Sequence, residues 1–224
     1  MAELIVAFDL PSGREALDLA ARLPGLRWAK IGPVLHVREG PALVREFTAR
    51  GVRVFLDLKW HDIPSVVTGA VEAARAQGVA MATVHTLAGP AVLAAAAQAA
   101  GEMAVVGVTI LTSHEAGDFE RVVGRGVPDL GFEAERLGRL ALAAGLRGVV
   151  ASGHEVTLLR ETLGPEPWIV VPGVRTPSDA ADDQARTISV ADAVGRGATH
   201  LVVGRPITRA ADPREVYQRL MESL

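Results

Sequence analysis

Short runs of apolar residues alternate along the chain with longer stretches in which apolar and polar positions recur at helical spacing. Many short runs are continuously apolar, such as 104–108 and 168–171, which is typical of a parallel strand buried on both faces. The pattern predicts strands at 4–9, 27–31, 52–58, 81–86, 103–110, 148–152, 168–172 and 200–204. The amphipathic stretches between them predict helices near 13–23, 41–50, 64–77, 90–101, 132–145, 154–163, 189–197 and 212–223.

The residues that flank the helical stretches support these boundaries. Ser12 lies three residues before Glu15, the spacing of an N-terminal capping box, and Asp212 followed by Pro213 is a typical helix start. Glycines stand where several predicted helices should end, at positions 25, 51, 78, 101, 145 and 197. The stretch 112–131 is polar and contains glycine, so we expect a loop there with room for one short helix.

Eight strands alternating with eight helices predict a (β/α)8 barrel, in which parallel strands close into a ring inside a layer of helices. An open, doubly wound sheet is the alternative fold. No proline- or glycine-rich linker divides the chain, so we expect a single domain over 1–224. In barrels of this class the active site lies at the carboxyl ends of the strands, and we expect the charged groups that end the first three strands to converge on one side of the barrel mouth.

Composition and charge narrow the possible functions. The chain is 49% hydrophobic and 22% charged, with a formal net charge of −3, which is typical of a globular protein with a large core. It has no basic block and only 4% aromatic residues, so we expect neither nucleic-acid nor membrane binding. Cysteine is absent, which excludes disulfides and thiol chemistry. The first residues lack the features of a signal peptide, and we expect a cytoplasmic protein.

Several common enzyme fingerprints are missing from the chain. No Gly-x-Gly-x-x-Gly follows the first strand, and neither a phosphate-binding P-loop nor a Gly-x-Ser-x-Gly nucleophile motif occurs. The six histidines do not have the spacing of metal ligands. Dinucleotide-dependent, P-loop and serine-hydrolase chemistry therefore have no support, and we expect no metal site.

Only two of the 23 lysine and arginine residues are lysine, Lys30 and Lys59, and both follow apolar, strand-like runs. A lysine ammonium is a compact charge that can release a proton, whereas an arginine guanidinium effectively cannot. Lysine at two strand ends therefore indicates a need for a transferable proton or a compact cation. The alternative is chance. Strand ends make up about a tenth of such a barrel, so two independent lysines would both lie there roughly one time in a hundred.

Carboxylates accompany Lys59 along the third predicted strand. Asp57 and Lys59 are two residues apart, so their side chains point to the same face of the strand. If Leu58 faces the helices, both charges face the barrel interior, and Asp62 follows just past the strand end. Opposite charges at this density would keep each other ionised and fixed, against a substantial desolvation penalty. A non-catalytic network that neutralises the barrel mouth is the alternative.

The ends of the last two predicted strands have the composition of a phosphate site. Gly204 allows close approach of the backbone, and Arg205 offers a bidentate fork to an anion. In such barrels phosphate commonly binds at the loops after the seventh and eighth strands. Arg175 and Gln184 lie on the preceding loop, and 173–188 is a candidate lid. A simple glycine turn with a surface arginine is the alternative.

The charged run resembles the signature of the orotidine 5′-phosphate decarboxylase family; it reads Asp57-Leu58-Lys59-Trp60-His61-Asp62-Ile63-Pro64. Other segments are similar to further strands of the bacterial members, in the same order over nearly the whole chain: 6–9, 30–32, 109–113, 172–175 with 183–186, and 202–207. The resemblance implies a cofactor-free (β/α)8 barrel that converts orotidine 5′-phosphate to UMP and CO2 in pyrimidine biosynthesis.

The resemblance also implies a role for each matching residue. Lys59 would protonate C6 of the pyrimidine, and Asp57 would lie beside the leaving CO2. Lys30 and Asp62 would complete a charged tetrad, with Asp62 entering the active site of the partner subunit of a homodimer. Asp9 would bind the ribose hydroxyls. The further implied substrate contacts are Leu58, Trp60, His61, Ile63, Pro64, Ser65, Val66, Thr112, Ser113, Pro172, Arg175, Gln184, Gly204 and Arg205.

One departure from the family follows the signature, where Ser65 and Val66 stand in place of the common Asn-Thr pair. Valine cannot donate the hydrogen bond of threonine, so we expect backbone or water to replace that contact. A magnesium-dependent 3-keto-hexulose-phosphate decarboxylase or synthase is the alternative function, because such relatives share Asp-x-Lys-x-x-Asp. They place an acidic metal ligand where this chain has Lys30, and a cation there disfavours magnesium. A non-catalytic phosphate-binding barrel is the third possibility.

Overall fold

The computed structural model describes residues 2–174 and 188–224. Parallel strands close into a barrel in which each strand pairs with the next along the chain, and the last strand pairs with the first. The strands are β1 (Glu3–Ala7), β2 (Trp28–Ile31), β3 (Arg53–Trp60), β4 (Met81–His85), β5 (Ala104–Val108), β6 (Gly148–Val150), β7 (Trp168–Val171) and β8 (His200–Val203). The predicted (β/α)8 barrel is confirmed, and the open doubly wound sheet is wrong.

Helices surround the barrel in the part of the chain that the structure describes. They are α1 (Gly13–Ala21), α2 (Pro33–Ala49), α3 (Pro64–Ala76), α4 (Pro90–Ala99), α5 (Ala116–Val123), α6 (Leu130–Ala143), α7 (Val156–Leu163), α8 (Val190–Gly195), α9 (Arg205–Thr208) and α10 (Pro213–Glu222). A 3-10 turn, Thr86–Ala88, follows β4. Over residues 2–174 and 188–224, no helix combines the length and the apolar character needed to cross a bilayer.

Two helices differ from the expectation. Helix α2 begins at Pro33 rather than near 41. It consists of two segments, and the break between them lies at Gly40 (φ 59°, ψ −154°), just before Pro41. That first segment exposes Val34 and Val37, so it lacks the amphipathic pattern that marks a core-facing helix. Helix α9 is a single turn, too short to produce a periodic signal. Helix α5 lies within 112–131 and is the short helix that we expected in that loop.

The helix boundary signals are confirmed. The Ser12 hydroxyl accepts a hydrogen bond from the Glu15 amide and donates one to the Glu15 carboxylate. The Asp212 carboxylate accepts hydrogen bonds from the amides of Arg214 and Glu215 at the start of α10. The glycines predicted to end helices all have positive φ, at positions 25, 51, 78, 101, 145 and 197.

Side chains alternate along the strands between two apolar layers. The outer layer lies between sheet and helices and includes Leu56 and Leu58 of β3, whereas the inner layer fills the barrel and includes Phe55. Asp57, two residues after Phe55, follows this alternation towards the interior, and the Lys59 ammonium reaches Asp57 there. Leu58 faces the helices, which was the condition for Asp57 and Lys59 to face the barrel interior.

Aromatic side chains close the amino-terminal end of the barrel. The ring centroid of His200 lies 4.4 Å from that of Trp168 and 5.6 Å from that of Trp28. The Arg53 guanidinium lies 4.4 Å from the centroid of the Trp28 ring and donates to the Glu3 carboxylate at 3.0 Å. We call this cluster of Trp28, Trp168, His200, Arg53 and Glu3 the barrel base.

Candidate active site

A cavity of about 670 Å³ lies at the carboxyl ends of the strands, opposite the barrel base. Its floor is apolar and includes Val108, Val150 and Val202 of the inner layer. Its polar groups come from the ends of several strands, which a closed parallel barrel brings to one mouth. These polar lining residues are Asp9, Lys30, Asp57, Lys59, Thr112, Arg205, Thr208 and Arg209.

Charges of alternating sign form a chain along one side of this cavity. The Lys59 ammonium donates a hydrogen bond to Asp57 Oδ1 at 2.9 Å. The Lys30 ammonium lies 3.7 Å from Asp57 Oδ2 and 3.1 Å from Asp9 Oδ1. Neighbouring strands β1, β2 and β3 supply these groups, so barrel closure brings together residues that are far apart in sequence. The convergence of the two lysines predicted from the sequence is therefore present in the fold.

Asp57 is a buried carboxylate that remains ionised. Burial opposes its ionisation, but the charges of Lys30 and Lys59, with hydrogen bonds from Lys59 and Thr83, outweigh that effect and hold the pKa of Asp57 below its usual range. Both Asp57 and Lys30 are only 9% exposed. The site therefore keeps a fixed negative charge between two ammonium groups, with little water to screen them.

The backbone of Lys59 has an unusual conformation. Its φ is 51°, and it is the one non-glycine residue with positive φ within 2–174 and 188–224. Such a conformation costs about 1–3 kcal/mol and persists only where the surroundings enforce it. Lys59 also carries the more accessible of the two ammonium groups, and strain at this residue indicates a functional constraint on where that ammonium points.

His85 lies at the end of β4, close to this cluster. Burial, followed by the charges of His61, Lys59 and His114, lowers the pKa of His85 from 6.5 to about 4. Its Nδ1 accepts a hydrogen bond from the Leu87 amide at 3.3 Å. His85 is therefore neutral at physiological pH and adds no positive charge beside Lys59.

Residues 2–220 match the family described as orotidine 5′-phosphate decarboxylase / HUMPS family. The chain belongs to this family. A relative from Alkalilimnicola ehrlichii, named orotidine 5′-phosphate decarboxylase, is 47% identical over 226 residues, which cover 99% of this chain and 95% of that protein. One of the same name from Opitutus terrae is 46% identical over 229 residues, covering 99% of this chain and 98% of that protein.

A solved structure supports the same assignment. The crystal structure of orotidine 5′-phosphate decarboxylase from Lactobacillus acidophilus superimposes with a TM-score of 0.88 at 29% identity. The superposition covers 100% of this chain and 99% of that one. The family likeness therefore extends over the whole barrel and includes every strand end that lines the cavity.

The cavity contains part of the site predicted from the family motif. Asp9, Lys30, Asp57 and Lys59 line it together, as do the predicted contacts Thr112, Pro172, Gly204 and Arg205. Arg175 and Gln184, and with them most of the candidate lid, lie outside the described residues. The remaining predicted contacts do not line it in the single chain: Leu58, Trp60, His61, Asp62, Ile63, Pro64, Ser65, Val66 and Ser113.

Asp62 stands apart from the charged cluster in the single chain. It is exposed, and its Oδ1 accepts a hydrogen bond from the Ile63 amide at 2.7 Å. Its neighbours Ile63 and Val66 are also exposed, whereas Leu58 and Trp60 pack against the outer apolar layer. The family motif therefore divides in three: Asp57 and Lys59 line the cavity, Leu58 and Trp60 pack against the outer layer, and residues 61–66 are exposed.

Sequence reasoning missed some of the cavity wall. Thr208 and Arg209 line the cavity beside Arg205, and Leu10 and Pro11 line it after β1. Thr208 and Arg209 lie three and four residues beyond Arg205, one helical turn away, so recognising the single turn of α9 would have found them. Leu10 and Pro11 carry no charge or motif that distinguishes them from an ordinary loop.

Proposed function

We propose that this chain is an orotidine 5′-phosphate decarboxylase, a carboxy-lyase that forms UMP and CO2 in pyrimidine biosynthesis. The observation that carries the proposal is the ionised Asp57 held between the ammonium groups of Lys30 and Lys59 at the cavity wall. Family membership and the names of relatives at 46–47% identity support the same reaction.

The cavity offers two chemically different ends for the substrate. Arg205 and Arg209, with the backbone at Gly204, form a cationic end that suits the phosphate group. Lys59 and Asp57 lie on the wall formed by β3, where we place the pyrimidine ring. Asp9 is ion-paired to Lys30 between these regions and would accept hydrogen bonds from the ribose hydroxyls. Arg175 and Gln184 remain predicted phosphate contacts.

The chemistry requires a compact acid at C6. When the bond from C6 to the carboxylate breaks, CO2 leaves and the electron pair stays on C6 in an orbital that the ring cannot delocalise well. The Lys59 ammonium stabilises this pair electrostatically and then transfers a proton to C6, after which solvent reprotonates the amine. Arginine would supply the field without a readily transferred proton.

Asp57 and Lys30 set the electrostatics around that acid. Asp57 accepts the Lys59 hydrogen bond, which fixes the position of the ammonium. Lys30 neutralises Asp57 from the other side and links it to Asp9. Because the pKa of Asp57 is held below its usual range, this carboxylate stays ionised at physiological pH.

We also propose a homodimer in which Asp62 of the partner subunit completes the site. Asp62 is exposed near the mouth and contacts none of the cluster residues of its own chain. Exposed apolar side chains follow the adjacent strands β2 and β3: Val34 and Val37 on α2, and Ile63 and Val66 at the start of α3. Such a patch at the mouth suits burial against a second copy. We propose further that the enzyme is cytoplasmic, forms a single domain and uses neither a metal nor a cofactor.

The cluster does not fit the magnesium-dependent alternative. Asp9 and Asp57, the carboxylates that line this cavity among the residues the structure describes, both lie against the Lys30 ammonium. A divalent metal ion placed between them would be repelled by that ammonium and would have to displace it. Lys30 therefore occupies the position where metal chemistry would need an anionic ligand.

A substrate comparison separates the candidate functions. Chelator-treated protein is mixed with orotidine 5′-phosphate, and the change in ultraviolet absorbance is followed, with and without added magnesium. We expect turnover that magnesium does not alter. Parallel assays use 3-keto-hexulose phosphate. Strictly magnesium-dependent reaction of the sugar phosphate alone would favour the alternative enzyme, and UMP binding without any turnover would favour a non-catalytic barrel.

A further inference from the structure

We propose that Thr83 on β4 is a positioning residue for the proton donor. Its side chain is fully buried, and it does not line the cavity. Its hydroxyl accepts a hydrogen bond from the Lys59 backbone amide at 2.8 Å and donates one to Asp57 Oδ1 at 3.1 Å. These directions are forced, because an amide can only donate and an ionised carboxylate can only accept. The inference rests on the proposed function.

The pairing of β3 with β4 explains why a side chain makes this contact. Leu56 pairs with Ala82, but the next pair joins Trp60 to Val84, so the register shifts between them. Residues 57–59 consequently bulge opposite Thr83. The Thr83 hydroxyl receives the amide hydrogen that a backbone carbonyl would receive in a regular ladder. One hydroxyl therefore holds both the bulged backbone and the carboxylate that pairs with the Lys59 ammonium.

The bulge determines where the ammonium points. The Lys59 side chain is long and partly exposed, so its own packing does not fix its direction. Its backbone at φ 51° sets the direction instead, and this strained conformation needs a partner for the buried amide. Without the hydroxyl, Lys59 can relax towards the ordinary extended region, which would turn its side chain away from Asp57.

Other buried threonines show what a purely structural hydroxyl does in this barrel. The Thr86 hydroxyl donates to the Val108 carbonyl at 2.8 Å, and the Thr109 hydroxyl donates to the Val150 carbonyl at 3.0 Å. Both contacts join a side-chain hydroxyl to a backbone carbonyl of a neighbouring strand and touch neither lysine. Thr83 differs because one of its partners is the backbone of Lys59, the proton donor, and the other is Asp57, the counter-ion of Lys59. Thr86→Val is therefore a matched control, since it also removes one fully buried hydroxyl.

The test compares Thr83→Val, Thr83→Ser and Thr86→Val for kcat, KM and Tm, with orotidine 5′-phosphate as substrate. We expect Thr83→Val to lower kcat by about 10- to 100-fold, because misplacing a reacting group by about 1 Å has an effect of that order. We expect KM to change by less than about threefold, because the loss concerns the reacting geometry. Thr83→Ser restores the hydroxyl and should stay within about threefold of the original kcat.

The control separates positioning from stability. Thr86→Val should lower Tm to a similar extent while keeping kcat within about threefold. A Thr83→Val enzyme with unchanged kcat, or a Thr86→Val enzyme that loses as much, would overturn the inference. An unsubstituted enzyme that does not turn over the substrate at all would instead refute the proposed function.

A second measurement covers a Thr83→Val chain that does not fold. Amide hydrogen exchange in the unsubstituted protein reports directly on the Lys59 N–H bond to Thr83. We expect this amide to exchange as slowly as the amides of the paired β3 residues, because its partner is buried. Exchange at the rate of an open loop would overturn the inference without any substitution.

Discussion

The two ends of the barrel use residues on the same inward faces of the same strands. They differ in where their charged groups lie and in how deeply these groups are buried. On β2, Trp28 belongs to the base and Lys30 to the mouth; on β3, Arg53 belongs to the base and Asp57 to the mouth. At the base, charged groups lie at a partly exposed rim and cover aromatic rings. At the mouth, Asp57 and Lys30 are buried beside an open cavity.

The difference indicates which end contributes stability and which end does chemistry. An exposed ion pair such as that of Arg53 and Glu3 contributes about 0–1 kcal/mol, so the base depends mainly on its aromatic packing. Burying Asp57 and Lys30 carries a desolvation penalty that apolar side chains would avoid. A strained lysine beside them adds to that penalty. Function is the physical reason to retain such an arrangement.

The largest expected effect comes from exchanging the two lysines for arginine separately. Lys59→Arg should lower kcat by more than about 1000-fold, because guanidinium cannot readily give its proton to C6. Lys30→Arg should lower it less, by about 10- to 100-fold, because Lys30 only needs to be a well-placed charge. Steady-state decarboxylation measures both. An equal loss in the two variants, or near-native turnover by Lys59→Arg, would contradict the separate roles.

Mixing two inactive variants tests whether the mouth is completed by a second chain. A Lys59→Ala protein and an Asp62→Ala protein should each be nearly inactive, whereas their heterodimer contains one site with both groups. Random exchange of subunits should restore about a quarter of the original specific activity, because half of the dimers carry one intact site of two. Activity is measured after mixing and subunit exchange. Absence of restoration in proven heterodimers would contradict sharing of Asp62.

The base should respond to substitution in stability rather than in rate. Trp28→Ala removes a fully buried indole and should lower the free energy of unfolding by about 3–5 kcal/mol. At temperatures well below the lowered Tm, kcat should be unchanged. Urea unfolding and turnover on the same sample measure the two quantities. A large loss of kcat in folded protein would show that the two ends are not separate in function.

The smallest expected effect is a pH dependence of stability that originates at the base. Burial, followed by the charge of Arg53, lowers the pKa of His200 from 6.5 to about 4. Between pH 6.5 and 4 the unfolded chain therefore binds a proton that the folded His200 does not, and stability falls as pH falls. Over this pH range, protonation linked to His200 lowers the free energy of unfolding by roughly 3 kcal/mol at most.

A pair of histidine variants isolates that contribution. Urea unfolding at several pH values between 7 and 4 should show a shallower loss of stability for His200→Gln than for the unsubstituted protein. His154→Gln, which changes an exposed histidine, is the control substitution. Identical pH slopes for the two variants would contradict a neutral, buried His200.

Sequence alone predicted the barrel because its strands are continuously apolar and its helices carry clear caps. It also predicted that Lys30, Asp57 and Lys59 would meet, since the carboxyl ends of neighbouring parallel strands share one edge. It could not predict the bulge in β3, because the register shift depends on the side chain opposite it, Thr83. Nor could it find Arg209, whose position depends on the single helical turn of α9.

The most direct test of the central claim is a crystal structure of the enzyme with a 6-substituted uridylate. The account predicts that the Lys59 ammonium lies within about 3.2 Å of the group on C6, with Asp57 beside it. It also predicts that the phosphate lies at Gly204 and Arg205, and that Asp62 reaches the site from the partner subunit. A pyrimidine bound away from Lys59, or a phosphate seated on the two lysines, would contradict it.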